Sequence, residues 1–416
     1  MEALSTANSV FSIDLFKHVC NVQSNRNVLL SPWSISLVMA NVYLGAKGRT
    51  AEQIAEILHF NKAGVAETAH TTRHPRVYSK IEELLNNSCI SVQKPLLETS
   101  GNIHLRFQAL CQEINQPTKH FLLRSVSQLY GDKSVPFQKE FLQSMKKYYN
   151  AEPQTVNFQE SAEDVRKEIN SWVEQQTEGK IHNLLNEGSI DSLTQVILVN
   201  ALYFKGNWSK TFKKKDTTDQ TFRLNKSTSK PVKMMFQHDK FNWNYINEVH
   251  TQILELPYVN NDLSMFILLP DDINDDSTGL EMLEKKLTYK ALSKWTSPEE
   301  MEEVDANVYL PRIQLEDGYE LKSTLGSMGI TDAFSTGQAD FTGMSEKSKL
   351  VLSQVFHKCS VDINEEGTEA AASSGANIDG RSDQGAVLFA ADHPFLFFII
   401  HNKTKSILFF GKFCSP

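Results

Sequence analysis

The sequence predicts an α+β fold in one large domain. Helical patterns fill the first half of the 416-residue chain, whereas compact apolar runs of strand length dominate the second half. This segregation is typical of α+β proteins rather than of alternating α/β proteins. No internal repeat and no Pro/Gly/Ser-rich linker divides the chain. We therefore assign residues 1–416 to a single domain.

Helical patterns occur at four places in the first half. Ser31 is followed by a proline at the first helical position, and Thr50 is predicted to cap the next helix. Apolar residues recur at helical spacing in 103–114 and 164–185. The segment 61–100 is polar and rich in His and Thr in its first half, which predicts a long surface loop between helices.

Strand patterns follow. Some are continuous apolar runs, which predict strands buried on both faces, and one alternates with period two. The last two runs are close enough together to form a hairpin around residues 401–405. The predicted strands are 195–204, 263–269, 308–315, 395–400 and 406–410.

Composition limits the classes of function. The net charge of -8 provides no general attraction to phosphate, so we do not expect binding to nucleic acid. The longest late apolar run, 395–400, is too short to span a membrane, and the N-terminus lacks the pattern of a cleavable signal peptide. The five cysteines are widely spread without metal-ligand spacing, so we expect free thiols and no metal.

The segment between His357 and His393 is unusual for the interior of a domain. From Gly367 to Gln384 its only sizeable apolar side chain is Ile378, so it cannot bury enough surface to join a core. Strand-forming sequence flanks it on both sides. The composition predicts an exposed loop tethered at both ends, with a disordered linker as the alternative.

In the same predicted loop, two kinds of residue alternate along the sequence with period two, a pattern that a linker would not require. One alternating set is small and largely apolar, and the intervening residues are more polar. Inserted as a strand, the loop could turn the first set toward a core without steric conflict. The alternation therefore favours a loop that can insert into a sheet as a strand over a disordered linker. The inward set would be Thr368, Ala370, Ala372, Ser374, Ala376 and Ile378.

The chain resembles the serpins over essentially its whole length, and in particular their ovalbumin-like intracellular branch, clade B. The matching motifs are SPWSIS at 31–36, ILVNALYFKGNW at 197–208, SKPVKMM at 229–235, LELPY at 254–258, EEGTEAAA at 365–372, and DHPFLFFI with ILFFGK near the end. The resemblance implies a serpin fold with three β-sheets, about nine helices and an exposed reactive-centre loop at 365–390.

The family's mechanism implies a role for the loop. A serine protease would attack the bond between Arg381 and Ser382, and insertion of the hinge into a sheet would trap the acyl-enzyme. Arg381 suits a trypsin-like specificity pocket, because a guanidinium can donate two hydrogen bonds to a carboxylate. By resemblance the hinge consists of Glu365, Glu366, Gly367, Thr368, Glu369, Ala370, Ala371 and Ala372.

Five further positions match family residues that act in sheet opening. Ser31, Ser34, Asn200 and His357 match a polar cluster beneath the sheet, and Trp208 matches the aromatic residue where the hinge enters. Read without the motifs, they would be ordinary capping or core hydrogen-bonding residues. The segment 61–100 lacks the basic cluster that some members of the branch carry there, which argues against nuclear import through it.

The resemblance and the missing catalytic motifs together predict an inhibitor and no enzyme, since GxSxG, HExxH and a phosphate-binding glycine loop are all absent. We expect a monomer that forms a covalent complex with a trypsin-like protease, without cofactor, small-molecule substrate or membrane. The expected location is the cytoplasm, with the nucleus or signal-independent secretion as alternatives. The competing function is a non-inhibitory serpin with a storage, chaperone-like or scaffold role; Thr368 in the hinge favours inhibition.

Overall fold

The computed structural model describes residues 2–22, 25–61, 94–346, 349–365 and 385–416. Within these ranges nine α-helices precede the strands or lie between them in the sequence, and the predicted α+β class is confirmed. The helices are α1 Glu2–Val22, α2 Pro32–Gly45, α3 Gly48–Ile57, α4 Lys94–Ile114, α5 Lys139–Tyr149, α6 Phe158–Gln176, α7 Glu281–Lys286, α8 Tyr289–Trp295 and α9 Lys322–Met328.

The strands form a five-stranded and a nine-stranded sheet. Their bounds are β1 Val28–Leu30, β2 Phe121–Asp132, β3 Gln154–Val156, β4 Val196–Gly206, β5 Thr218–Arg223, β6 Ser229–Ile246, β7 Thr251–Pro257, β8 Leu263–Pro270, β9 Glu302–Pro311, β10 Ile313–Glu320, β11 Leu352–Ile363, β12 Val387–Ala390, β13 Phe395–His401 and β14 Ser406–Phe413.

The five-stranded sheet has the order β10-β11-β4-β2-β3. Its central strands β11 and β4 are parallel, whereas their outer neighbours β10 and β2 are antiparallel to them. The nine-stranded sheet has the order β1-β14-β13-β8-β7-β6-β9-β12, with β5 also on β6. The 18-residue β6 pairs with β5 over residues 229–234, with β9 over 234–243 and with β7 over 242–246. The resemblance implies three sheets, whereas the described strands form two. The difference arises because β6 pairs with β5, β7 and β9 and so joins their strands into one sheet.

Strand β4 is buried on both faces, which explains its uninterrupted apolar sequence. Leu198, Leu202 and Phe204 face the main core, where the hairpin β13–β14 and helices α1 and α2 lie. Val199 and Tyr203 face a smaller core beneath α6. The five-stranded sheet is therefore covered on both sides, and any strand that enters beside β4 must also fit two packed faces.

The predicted hairpin at the end of the chain is confirmed, since β13 and β14 pair antiparallel around a turn at 402–405. The strands predicted at 195–204 and 263–269 are confirmed as β4 and β8. The alternating run 308–315 is not one strand but the end of β9 and the start of β10, interrupted at Arg312. The four described cysteines are free thiols, as expected.

Several predicted boundaries were wrong. Helix α3 begins at Gly48, and the Thr50 hydroxyl accepts a hydrogen bond from the Asp340 N–H instead of capping the helix. The helix predicted at 164–185 spans Phe158–Gln176. Helix α4 begins at Lys94, so the C-terminal part of the predicted loop 61–100 is helical; residues 62–93 lie outside the described ranges. The predicted loop 365–390 includes β12, because Val387–Ala390 is a strand paired with β9.

Candidate functional site

The candidate site is the parallel pair formed by β4 and β11, which we call the seam. Its register joins Val196 through Phe204 on β4 to Leu352 through Val361 on β11. Parallel pairing is slightly less stable per residue than antiparallel pairing. The seam is the only parallel contact among the central strands of the five-stranded sheet that the structure describes, because β2–β3 lies at the sheet's edge.

A buried polar cluster lies across the seam. Asn200 and His357 are register partners, and the His357 Nδ1 lies 2.6 Å from the Asn200 Oδ1. The Ser34 hydroxyl donates to the same Oδ1 over 2.8 Å, and the Asn200 amide donates to the Ser127 hydroxyl on β2 over 2.9 Å. Separating β4 from β11 must therefore break a hydrogen bond between fully buried groups.

The cluster also fixes the tautomer of His357. The backbone N–H of Ser31 donates to His357 Nε2 over 3.2 Å, so Nε2 is an acceptor and Nδ1 carries the proton donated to Asn200. Burial lowers the pKa of His357 to about 3. The imidazole is thus neutral at physiological pH. The neighbouring Ser31 hydroxyl, predicted as a helix cap, donates instead to the carbonyl of Leu408 on β14 over 2.7 Å.

We expect His357→Gln to flatten the acid dependence of stability. The folded pKa of His357 lies below its ordinary value of 6.5, so the unfolded chain binds more protons between pH 6.5 and about 3. The stability due to neutral His357 is complete above pH 6.5 and is lost as pH falls. Between pH 7 and pH 5 it contributes a loss of about 2 kcal/mol.

Urea unfolding of both proteins at pH 7 and pH 5 measures this difference. The substituted glutamine does not titrate but keeps a donor and an acceptor. The buried His104, whose pKa burial lowers to about 4, is present in both proteins and cancels. Equal pH dependence in both would show that His357 is already protonated or not buried in the native protein.

At one end of the seam lies the loop base, which we define as Trp208, Asn364 and Glu365. The Trp208 indole N–H donates to the Asn364 carbonyl over 2.9 Å, and the ring stacks on Tyr258 with centroids 4.4 Å apart. The N–H of Phe212 donates to the Glu365 carbonyl over 3.0 Å. The chain leaving β11 is therefore held against a buried aromatic pair where it would have to turn to enter the seam.

Glu365 is the first hinge residue and its side chain is buried. The Arg312 Nε lies 2.8 Å and 2.9 Å from its two carboxylate oxygens, and the Thr217 hydroxyl donates to Oε1 over 2.5 Å. Burial alone would raise the pKa of Glu365, but the hydrogen bonds from Arg312 and Thr217 outweigh it and lower the pKa below its ordinary value. The carboxylate is therefore ionised, and its position is fixed by hydrogen bonds from Arg312 and Thr217.

The far end of the loop is anchored in the other sheet. After residue 384 the chain enters β12, which pairs with β9 from Val387 to Ala390. Asp392 then binds the side chain of Arg223, and its carbonyl accepts from the Arg223 N–H over 2.8 Å. The described residues that flank segment 366–384 thus lie in different sheets, with β11 in the five-stranded sheet and β12 in the nine-stranded one.

The structure brings the predicted residues Ser31, Ser34, Asn200 and His357 into one cluster, and it places Trp208 and Glu365 together at the loop base. The reactive bond Arg381–Ser382 and the remaining hinge residues lie outside the described ranges; these hinge residues are Glu366, Gly367, Thr368, Glu369, Ala370, Ala371 and Ala372.

Sequence reasoning missed Arg312, Thr217 and Ser127, which complete the loop base and the cluster. Arg312 had a usable signal, because it is a charged residue that interrupts an otherwise alternating strand pattern. No group of three or more His, Cys, Asp or Glu residues is arranged to hold a metal in the described part of the chain. Nor is any helix in those ranges long and apolar enough to cross a bilayer.

A parallel seam that holds a buried Ser–Asn–His cluster, followed in the sequence by a segment of small residues, is typical of a serpin. The family model described as "Serpin (serine protease inhibitor)" matches residues 6–416, and the chain belongs to this family and to its ovalbumin-like clade B. Proteins of this family inhibit proteases rather than catalyse reactions.

Similar proteins span the full chain. Plasminogen activator inhibitor 2 of Homo sapiens is 49% identical, and Serpin B10 of Homo sapiens is 48% identical, each with 100% of both chains covered. A crystal structure of maspin superposes with a TM-score of 0.84 at 36% identity, covering 100% of this chain and 99% of that chain. Uncleaved ovalbumin superposes with a TM-score of 0.82 at 36% identity, covering 99% and 100%.

Proposed function

We propose that this protein inhibits a trypsin-like serine protease as a suicide substrate. The protease serine attacks the carbonyl of Arg381, the peptide bond to Ser382 breaks, and the new amine leaves with the segment that continues into β12. An ester then joins Arg381 to the protease. Insertion of the preceding residues into the seam carries the protease away and deforms its active site before water can hydrolyse the ester.

The parallel seam is the observation that carries this proposal. Residue 366 follows the C-terminal end of β11, so a strand that turns back into the seam must run antiparallel to both β11 and β4. One parallel pair would be replaced by two antiparallel pairs, which are more stable per residue. The segment 368–378 has the same number of residues as β4, so it can fill the seam along its length.

The alternation of the loop fits the two packed faces of the seam. Both faces beside β4 are buried, so large or charged side chains in the core-facing set would clash or lose their hydration. Thr368 and the alternate small residues after it are uncharged and compact. The polar intervening set would contact the α6 side, where Lys358 and Asp362 of β11 are only partly buried.

Arg381 sets the class of target. A protease with a carboxylate in its specificity pocket would bind the guanidinium with two charge-assisted hydrogen bonds. Gly380 precedes it and has no side chain to restrict the neighbouring subsite. These features support trypsin-like enzymes over chymotrypsin-like or elastase-like ones. We propose the cytoplasm as the place of action, in line with the intracellular clade B relatives.

Mixing the protein with trypsin and with chymotrypsin, followed by denaturing gels, tests the proposal. We expect a covalent adduct with trypsin that is lost in Arg381→Ala, because alanine cannot occupy an anionic pocket. Chymotrypsin is the matched control and should give no adduct at this bond.

Clean cleavage by trypsin without adduct would contradict inhibition. That result would favour the alternative, a serpin with a storage, chaperone-like or scaffold role, because such a protein does not need a seam that opens before the ester is hydrolysed. An adduct that persists in Arg381→Ala would keep inhibition and contradict only the assignment of the reactive bond.

A further inference from the structure

One edge of the five-stranded sheet is unpaired along most of its length. Strand β2 pairs with β4 from Phe121 to Gly131, but on its other side β3 pairs only with Tyr130, Gly131 and Asp132. The side chain of Gln128 reaches the Glu152 carbonyl over 2.7 Å just before that contact. Residues 121–127 therefore have no strand beside them within the described ranges, and we call this stretch the free edge.

The ladder shows which backbone groups point outward. The Asn207 N–H donates to the His120 carbonyl over 3.0 Å, and the Asp132 N–H donates to the Gln195 carbonyl over 2.8 Å. Both pairs lie on the uninterrupted β2–β4 register, so even-numbered β2 residues exchange hydrogen bonds with β4. The odd-numbered residues direct their N–H and C=O groups away from β4, toward the free edge. These residues are Phe121, Leu123, Ser125 and Ser127.

These outward groups face a cavity, and no other strand of the described ranges pairs with them. A cavity of about 570 Å³ runs beside residues 121–127. The chain from Ile114 to Thr118 forms one wall, and Trp172 with Gln176 of α6 forms the other. No hydrogen bond from another described residue reaches the backbone of the four outward residues. At about 3.3 Å per residue, the edge can pair with a strand of about seven residues.

A side chain in the cavity also has a hydrogen-bond donor without an acceptor among the described residues. The Arg124 Nη2 donates to Glu178 over 2.7 Å, but the Nε is buried and has no partner among the described residues. A donor in this position calls for an acceptor from outside the described structure. The Trp172 ring beside it offers an apolar surface. The cavity therefore combines a row of backbone groups, one buried donor and one aromatic wall.

We propose that the free edge of β2 binds an extended segment of another protein as an added sheet strand. Backbone hydrogen bonds to the odd-numbered residues supply affinity, and alternate side chains of the segment contact Trp172 on one face and the wall formed by residues 114–118 on the other. An Asp, Glu, Asn or Gln in the segment accepts from Arg124 Nε. The proposal concerns a different edge of the sheet from the seam and does not depend on protease inhibition.

The test uses the full-length protein and a fluorescein-labelled peptide, TVEVTVT, followed by fluorescence polarisation. We expect saturable binding with a Kd below about 1 mM, since short strands gain modest affinity. Two further peptides carry N-methyl groups on alternate residues, one on the odd-numbered and one on the even-numbered positions. In an added strand only one of these two sets of N–H groups points toward β2. The peptide methylated on that set should lose binding at least about tenfold, and the other peptide should keep it. Equal loss, or no loss, with both peptides overturns strand addition.

Variants of the protein supply the matching control. Ser125→Pro removes an outward N–H without touching the ladder to β4, and it should weaken binding at least about tenfold; Ser125→Ala keeps the N–H and should bind as wild type. No binding up to about 1 mM overturns the proposal, as does binding that appears only after deletion of residues 62–93, which would make that segment the occupant. Peptide-free self-association that depends on Ser125 would assign the edge to a second copy and also overturn it.

Discussion

Cleavage of the Arg381–Ser382 bond is expected to raise the unfolding temperature by at least about 10 °C. The cut frees segment 368–378 from its anchor in β12, so it can enter the seam and replace one parallel pair by two antiparallel pairs. Each added ladder hydrogen bond contributes roughly 0.5 to 1.5 kcal/mol net. Calorimetry or circular dichroism measures the shift on the intact protein and on the cleaved fraction that remains after limited trypsin treatment and removal of the covalent adduct.

Arg381→Ala treated identically is the control, because trypsin should leave that bond intact and the unfolding temperature should stay where it was. A cleaved wild-type protein that unfolds at the original temperature would show that the segment does not enter the sheet. Trapping by insertion would then be untenable, whatever the fate of the protease.

Thr368→Glu is expected to convert the protein from inhibitor to substrate. In the period-two arrangement Thr368 belongs to the inward set, and in the proposed insertion it is the first of that set to enter the buried seam. An unpaired carboxylate there would cost several kcal/mol of desolvation, so insertion would slow and the acyl-enzyme would hydrolyse. The stoichiometry of trypsin inhibition should rise at least about tenfold. Glutamate is chosen because arginine would add a second trypsin site.

Ser373→Glu is the matched control, since it places the same side chain in the outward set. Its stoichiometry should stay within about twofold of wild type. Similar effects of both substitutions would mean that the alternation does not decide which side chains become buried, and similar inhibition by Thr368→Glu and wild type would contradict the hinge assignment.

The parts of the fold that were predictable are those where burial dictates sequence. Strands β4 and β8 are covered on both faces, and their short, continuous apolar runs are typical of buried strands of that length. Helix ends were less predictable. Thr50 has a capping side chain, yet a tertiary hydrogen bond with Asp340 occupies it, and no local pattern signals a partner 290 residues away.

The candidate site likewise contains residues that the sequence could identify and contacts that it could not. Asn200 and His357 were found through family motifs, and the sequence alone could not show that they are register partners across one parallel pair. The ion pair between Arg312 and Glu365 was missed because the break in the strand pattern at Arg312 does not identify a partner 53 residues away. Their pairing depends on β10 and β11 lying side by side, which only the sheet topology reveals.

The stacked Trp208–Tyr258 pair gives the molecule an intrinsic optical reporter. The indole N–H is bonded to Asn364, the residue just before the hinge, so reorientation of the chain there must change the environment that governs tryptophan emission. Time-resolved fluorescence could therefore follow the seam as it opens, without any attached dye, against a background of four tryptophans in other elements: Trp33, Trp172, Trp243 and Trp295.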